Sequence, residues 1–149
     1  MGVHGACVAG SETLRRYLIN FARPFIYTTA MAPHSVIAIR CSFDHLKKNI
    51  RLQEELDNNV RLYLKNTFDI RNRTNSSSSI QTIFFKGNEN ARDAALELQR
   101  HNFDVRAILS PTVPQGSERL RVCLHSFNKE DQILNLTRHL KALSLNTDV

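Results

Sequence analysis

Two arginines near the end of the chain have the type and spacing of an anion-binding pair. Arg119 and Arg121 flank Leu120, and polar and apolar residues alternate from 119 to 125, which predicts a half-buried β-strand. Side chains two apart in a strand lie on one face, so the two guanidinium groups share a side. Each is a planar, permanently charged fork that can bind a carboxylate or a phosphate. The alternative interpretation is that both are solvated polar positions of an amphipathic strand.

The residues before this strand predict a stiff approach followed by a tight turn. Pro111 and Pro114 fix φ at two positions and favour extended geometry in the residues ahead of them. Gly116 then permits a turn. The predicted construction is therefore an extended entry, a turn, and the strand that carries the arginines.

The rest of the chain predicts the elements that would position this strand. Apolar residues recur at helical spacing from 33 to about 68, with possible breaks at 42–44 and 57–59. The polar segment 72–79 predicts an exposed loop. Further on, the patterns predict strands at 80–86, 103–108 and 119–125, and helices at 90–100 and from 128 or 129 onward. This order indicates an α/β fold, with a small sheet of about three strands and helices packed on one face.

The first 35 residues predict a glycine-rich start, one helix and two short strands. Ser11 is a suitable N-cap for a helix that Pro24 would end. The strands are predicted at 6–9, after the first glycines, and at 25–29, which finishes in two threonines.

Composition and charge argue against several classes of protein. The formal charge is +6, from 20 Lys and Arg against 14 Asp and Glu, but the basic residues are scattered among acids and no nucleic-acid-binding motif accompanies them. No apolar run reaches the roughly 18–20 residues that span a bilayer, and the N-terminus lacks the pattern of a secretory signal. The three cysteines form no CxxC pair, and the histidines have no metal-ligand spacing. We therefore expect a cytoplasmic protein that binds neither nucleic acid nor metal.

Two segments carry a resemblance to a known family. Residues 111–114 (PTVP), the glycine two positions later and the RLR sequence at 119–121 resemble the C-terminal signature of the α-oxoamine synthases. Residues 23–30 (RPFIYTTA) and three early glycines are similar to the part of these enzymes that follows their catalytic lysine. The α-oxoamine synthases use pyridoxal phosphate (PLP) to join an amino acid to an acyl-CoA with loss of CO2.

The resemblance implies that this chain is the C-terminal part of a fold-type I PLP-dependent transferase. Residues 1–35 would be the tail end of the large PLP-binding domain, 36–71 would form linking helices, and 72–149 would form the small C-terminal α/β domain. The lysine that forms a Schiff base with PLP would lie about two residues before Met1, so no catalytic residue is assigned within the chain. The full-length enzyme would be a homodimer, whereas this chain alone would be inactive and would not bind PLP.

The resemblance also implies roles for individual side chains. Arg121 matches the arginine that holds the substrate carboxylate, whereas Arg119 would stay structural or solvated. Thr112 matches a residue at the substrate mouth, with packing inside a rigid turn as the alternative. Thr28 and Thr29 match a hydroxyl-bearing pair that reaches the PLP phosphate of the neighbouring subunit, with capping of a strand end as the alternative.

The pattern leaves the substrates and two other classes of protein open. Alanine with a pimeloyl thioester is the first expectation, followed by glycine with acetyl-CoA and then by a serine palmitoyltransferase. A stand-alone α/β interaction domain without catalytic activity is a hypothesis of a different class. A basic nucleic-acid-binding domain is another, and it predicts salt-sensitive binding to DNA or RNA.

Overall fold

The computed structural model describes residues 2–5 and 7–145, which form six α-helices and three β-strands. The chain divides into two compact units, Met1–Ile50 and Arg51–Val149. The division expected from the family resemblance, into 1–35, 36–71 and 72–149, stays a prediction.

The first unit is helical. Its elements are α1 (Glu12–Phe21), α2 (Arg23–Ile26) and α3 (Pro33–Lys48). The hydroxyl of Ser11 accepts a hydrogen bond from the Leu14 backbone N–H at 3.2 Å, so the predicted N-cap is confirmed. A proline lies in the first turn of both α2 and α3, where its missing N–H removes no helical hydrogen bond.

The two short strands predicted in this unit are wrong. Arg23–Ile26 is helical, and residues 27–30 form a turn and an irregular segment. Residues 7–10 have no strand structure, and Ala6 lies outside the described residues. A β-prone run becomes a strand only when a neighbouring strand satisfies its backbone groups. Among residues 2–5 and 7–50 there is no such neighbour.

This unit exposes much of its apolar surface. Every described residue up to 50 keeps at least an intermediate exposure. Tyr17 and Phe21 stack with ring centroids 4.9 Å apart, yet Phe21 is 66% exposed and Tyr27 is 80% exposed. Aromatic side chains this open are typical of a surface that packs against another polypeptide.

The second unit holds the sheet. Its elements are α4 (Arg51–Asn66), β1 (Ile80–Phe84), α5 (Asn88–Arg100), β2 (Arg106–Ile108), β3 (Arg119–Cys123) and α6 (Glu130–Leu145). The strands are antiparallel in the order β1-β3-β2. The predicted α/β fold and the predicted order of strands and helices are confirmed.

The long helical region breaks at one place, and both predicted break positions are wrong. Helix α3 ends at Lys48, and α4 begins at Arg51. Between them, the side-chain amide of the C-cap residue Asn49 donates to the His45 carbonyl at 2.7 Å. The segment 57–59 stays helical because the next residues, Val60 and Tyr63, are buried in the core. Tertiary packing therefore outweighs the weak helix propensity of the Asp-Asn-Asn sequence.

One face of the sheet builds the core and the other stays open. Alternate residues of β1 and β3 point to opposite sides, so Ile83, Leu120 and Val122 are buried while Thr82 and Arg121 lie on the opposite face. Helices α4, α5 and α6 pack on the buried side, which confirms the predicted layer arrangement. Their buried apolar residues are Val60, Tyr63, Ala91, Ala94, Ala95, Leu98, Ile133, Leu136 and Leu140.

The open face of the sheet as candidate substrate site

Arg121 lies at the centre of the open face. Its neighbours across the ladder are Thr82 on β1 and Arg106 on β2. Arg106 is engaged in an ion pair with Asp104 at 2.8 Å. In the part of the chain that the structure describes, no hydrogen bond or ion pair occupies the Arg121 guanidinium. Its five N–H donors are therefore available to a ligand.

Arg119 shares the strand and the face but is held by the protein. Its Nε donates to the Ser117 carbonyl at 2.8 Å, and its guanidinium carbon lies 4.7 Å from the centroid of the Phe84 ring. A guanidinium over an aromatic face gains cation–π attraction. The two arginines of the RLR sequence thus differ: one is a structural contact and the other is free.

A cavity of about 620 Å³ opens beside Arg121. It joins the end of β3 to the loop before β2 and to the first turns of α6, which the sequence pattern could not bring together. Apolar and polar residues both line it. The lining includes Asp104, Val105, Arg106, Arg121, Val122, Cys123, Leu124, His125, Phe127, Asn128, Ile133 and Leu136. An anion with an apolar part would match this combination of a free guanidinium and apolar lining residues.

Thr112 lies at the tip of the turn that precedes β3. The Val113 N–H donates to the Leu109 carbonyl at 3.2 Å and the Ser117 N–H donates to the Pro114 carbonyl at 3.0 Å, so two successive tight turns replace the extended entry expected from the prolines. Thr112 is exposed and is not among the residues that line the cavity beside Arg121. Its assignment to the substrate mouth stays a prediction.

Glu118 is a buried carboxylate that sequence reasoning missed. Only 1% of its surface is exposed. Its Oε2 accepts hydrogen bonds from the Gly87 N–H at 3.0 Å and the Gly116 N–H at 2.9 Å. Its own backbone N–H, together with those of Gly87 and Gly116, holds the pKa of the Glu118 carboxyl below its usual range, against the opposing effect of burial.

Thr28 and Thr29 follow α2 in the irregular segment of the first unit. Both are exposed, and neither hydroxyl is engaged by another described residue. A free hydroxyl can donate to a phosphate oxygen, and the assignment of the pair to the phosphate of PLP stays a prediction. The first lysine along the chain is Lys47, so the segment around the threonines brings no amine for a Schiff base. Met1, next to the expected position of the lysine, lies outside the described residues.

The described residues contain neither a metal-binding cluster nor a membrane-spanning helix. Residues 2–5 and 7–145 contain no cluster of three or more His, Cys, Asp or Glu side chains that could hold a metal ion. Over the same residues, no helix combines the length and apolar character that crossing a membrane requires. Cys7, Cys41 and Cys123 are free and exposed.

Comparison with known proteins gives consistent matches over nearly the whole chain. The family model "Aminotransferase class I and II" matches residues 1–140. The 8-amino-7-oxononanoate synthase of Serratia marcescens is 33% identical over 144 residues, which cover 96% of this chain and 38% of that protein. The enzyme of the same name from Cellvibrio japonicus is 36% identical, over 91% of this chain and 34% of that protein.

Solved structures agree with these sequence matches. The 8-amino-7-oxononanoate synthase of Francisella tularensis superposes with a TM-score of 0.67 at 27% identity, over 91% of this chain and 39% of that one. The serine palmitoyltransferase of Sphingomonas wittichii gives a TM-score of 0.69 at 18% identity, over 90% of this chain and 34% of that one, and it supports the fold alone. The chain thus spans well under half the length of the relatives it matches. It belongs to the aminotransferase class I and II family, within the branch of the PLP-dependent α-oxoamine synthases.

Proposed function

We propose that the full-length protein is an acyltransferase that condenses an amino acid with an acyl-CoA or another acyl thioester, with decarboxylation. The 8-amino-7-oxononanoate synthase reaction of biotin synthesis, in which alanine meets a pimeloyl thioester, is the first choice. The observation that carries the proposal is the free guanidinium of Arg121, a residue that lines a cavity together with apolar side chains. The relatives named 8-amino-7-oxononanoate synthase support the choice within the family.

Arg121 would bind and orient the amino acid. In the proposed reaction the α-carbon of the amino acid loses a proton and forms a bond to the thioester carbonyl carbon, while the C–S bond breaks and the thiol departs with a proton. The bond from the α-carbon to the carboxylate then breaks to release CO2, and a proton returns to the α-carbon. Bound PLP supplies the electron sink that stabilises negative charge at the α-carbon. A bidentate guanidinium fixes the plane of the carboxylate, and it thereby limits the orientations in which the α-carbon can meet the thioester.

Thr28 and Thr29 would contact the cofactor phosphate. Their free hydroxyls support this role, and a phosphate is bound well by several hydroxyl and N–H donors acting together. By the family resemblance the phosphate would belong to the neighbouring subunit, so the proposal includes a homodimer. We also infer that the enzyme works in the cytoplasm, without a nucleic-acid partner.

The amino acid specificity is tested by steady-state turnover of the full-length protein. Alanine, glycine and serine are each supplied with pimeloyl, acetyl and palmitoyl thioesters, and release of the free thiol is measured together with CO2. We expect the alanine and pimeloyl pair to have the highest kcat/KM. Preference for glycine with acetyl-CoA would assign the protein to the 2-amino-3-ketobutyrate CoA ligase reaction instead. A lack of thiol release with every pair would overturn the proposal and favour a non-catalytic α/β domain.

We further expect the 149-residue chain alone to be inactive and not to form a Schiff base with PLP. The reason is that the matching family lysine is expected before Met1, whereas the lysines of this chain lie at 47 and beyond. PLP titration with visible absorbance, run beside the full-length protein, measures this directly. A saturable Schiff-base band from the shorter chain would mean that one of its own lysines captures PLP, and would contradict the prediction.

A further inference from the structure

The turn that carries Thr112 is fastened at both ends to the corner between β1 and α5. At one end the Asn88 side chain pairs with the Ser110 backbone: its Oδ1 accepts from the Ser110 N–H at 2.9 Å and its Nδ2 donates to the Ser110 carbonyl at 3.3 Å. At the other end the Glu118 carboxylate joins Gly116 of the turn to Gly87 of the corner. The residues 110–118 thus form a loop whose two ends are tied to adjacent residues, 87 and 88.

The two hydrogen bonds that the Glu118 carboxylate accepts require unusual backbone geometry at their glycine donors. Gly87 and Gly116 have φ values of +89° and +83°, a region that side chains other than glycine rarely adopt. These conformations turn both N–H groups toward one carboxylate oxygen. Glu118 has no ion-pair partner among the described residues, so backbone N–H donors supply the polar contacts of its buried charge. A buried charge is costly unless hydrogen bonds compensate it.

Glu118 also belongs to the approach to β3. Its carbonyl accepts a hydrogen bond from the Phe85 N–H at 2.9 Å, which extends the ladder between β1 and β3 by one residue pair. Arg121 follows three residues later, and Thr112 precedes by six. The backbone of Glu118 is therefore held by the sheet while its side chain holds the turn, so one residue fixes the direction of the turn relative to the strand.

We propose that Glu118 is a positioning residue: its carboxylate fixes the turn 110–117, which carries Thr112, against the β1–α5 corner. The inference rests on the proposed function and on the predicted role of Thr112 at the substrate mouth, because the position of the turn affects turnover only if Thr112 contacts a substrate. Glu118 itself does not contact substrate in this scheme. It acts through the turn.

The first part of the test measures, without any substrate, whether the Glu118 carboxylate holds the turn to the β1–α5 corner. In the full-length holoenzyme, Glu118→Gln should speed amide hydrogen exchange at Gly87 and Gly116 and through the turn, because a side-chain amide offers an uncharged acceptor. Asn88→Ala should speed exchange at the Ser110 end of the same turn. Glu97→Gln is the control, since Glu97 lies on the exposed side of α5 and makes only surface ion pairs. Unchanged exchange in the Glu118 variant would overturn the tie.

The second part measures positioning by non-additivity. With whichever amino acid and thioester the wild type uses, Glu118→Gln should lower kcat/KM by about 10- to 100-fold, the range expected when a positioned group is displaced by about an ångström. In a Thr112→Val background the same change should cost no more than about threefold, because the group it positions is already gone. The cofactor absorbance should stay as in the wild type.

The possible results of the two experiments separate the positioning role of Glu118 from a general effect on stability. Equal losses in both backgrounds would overturn positioning through Thr112 and leave Glu118 with a general effect on stability. Faster exchange without loss of turnover would likewise reject the positioning role while confirming the tie. A wild-type protein that turns over no amino acid would overturn both the proposed function and the positioning role of Glu118. That failure can be told apart from a failure of the Glu118 contact alone, because hydrogen exchange measures the attachment of the turn without any substrate.

Discussion

Replacing Arg121 with lysine in the full-length protein is expected to lower kcat/KM for the amino acid by about 100-fold. Lysine keeps the positive charge but cannot grip a carboxylate with two parallel N–H groups. A hydrogen bond to a charged group contributes roughly 1.5–3 kcal/mol, and losing one together with the planar alignment gives a factor of this size. Steady-state kinetics with varied amino acid and saturating thioester measures it.

Arg119→Lys is the matched control for this experiment. Arg119 lies two residues away on the same face of β3, but its guanidinium is engaged by Ser117 and Phe84. We expect kcat/KM for the amino acid to stay within about threefold of the wild type, with a modest loss of thermal stability, because a partly exposed cation–π contact contributes about 1 kcal/mol. If Arg119→Lys abolished amino acid use while Arg121→Lys left it intact, the roles of the two arginines would be reversed.

The RLR sequence shows how far a pattern can identify a site. Alternation placed both arginines on one face, and the structure bears that out through the register of β3 with β1 and β2. Periodicity could not tell the two apart, since the difference comes from Phe84 on the neighbouring strand and from the turn at Ser117. The family resemblance did separate them, and the free guanidinium of Arg121 supports its choice.

Glu118 was missed for a different physical reason. In the sequence it is a charged residue between a turn and a strand, a position where solvent exposure is the usual outcome. Its burial arises because Gly87, 31 residues earlier, meets Gly116 at the same point in space. Two glycines with positive φ, widely separated in the chain, are a signal that becomes interpretable only once the β1–α5 corner and the turn are known to touch.

The order of strands and helices was predictable because each element of the second unit has a clear period and polar breaks on either side. Predictions failed in the first unit, where the segment 25–29 is β-prone but lacks a strand to pair with. They also failed at the end of α3, which no proline or glycine marks. Local propensity decides an element only when packing does not oppose it.

The largest expected loss of stability comes from replacing Leu98 of α5 with alanine. Its side chain is fully buried in the core, with 0% exposed, whereas Leu96 on the same helix is 45% exposed. Leu98→Ala should lower the free energy of unfolding by about 3 kcal/mol, because a buried leucine loses its transfer free energy and leaves a cavity. Leu96→Ala should change it by no more than about 0.5 kcal/mol. Urea unfolding of the 149-residue chain, followed by far-ultraviolet circular dichroism, compares the two.

The Leu98→Ala and Leu96→Ala variants together test which face of α5 packs against the sheet, because both make the same leucine-to-alanine change on one helix. Equal costs at the two positions would mean that α5 does not present its Ala91, Ala94, Ala95 and Leu98 face to the sheet. That orientation also places the N-terminal end of α5, with Gly87 and Asn88, beside the turn that leads to β3. A rotated α5 would therefore remove the physical basis for the position of Thr112 as well as for the core.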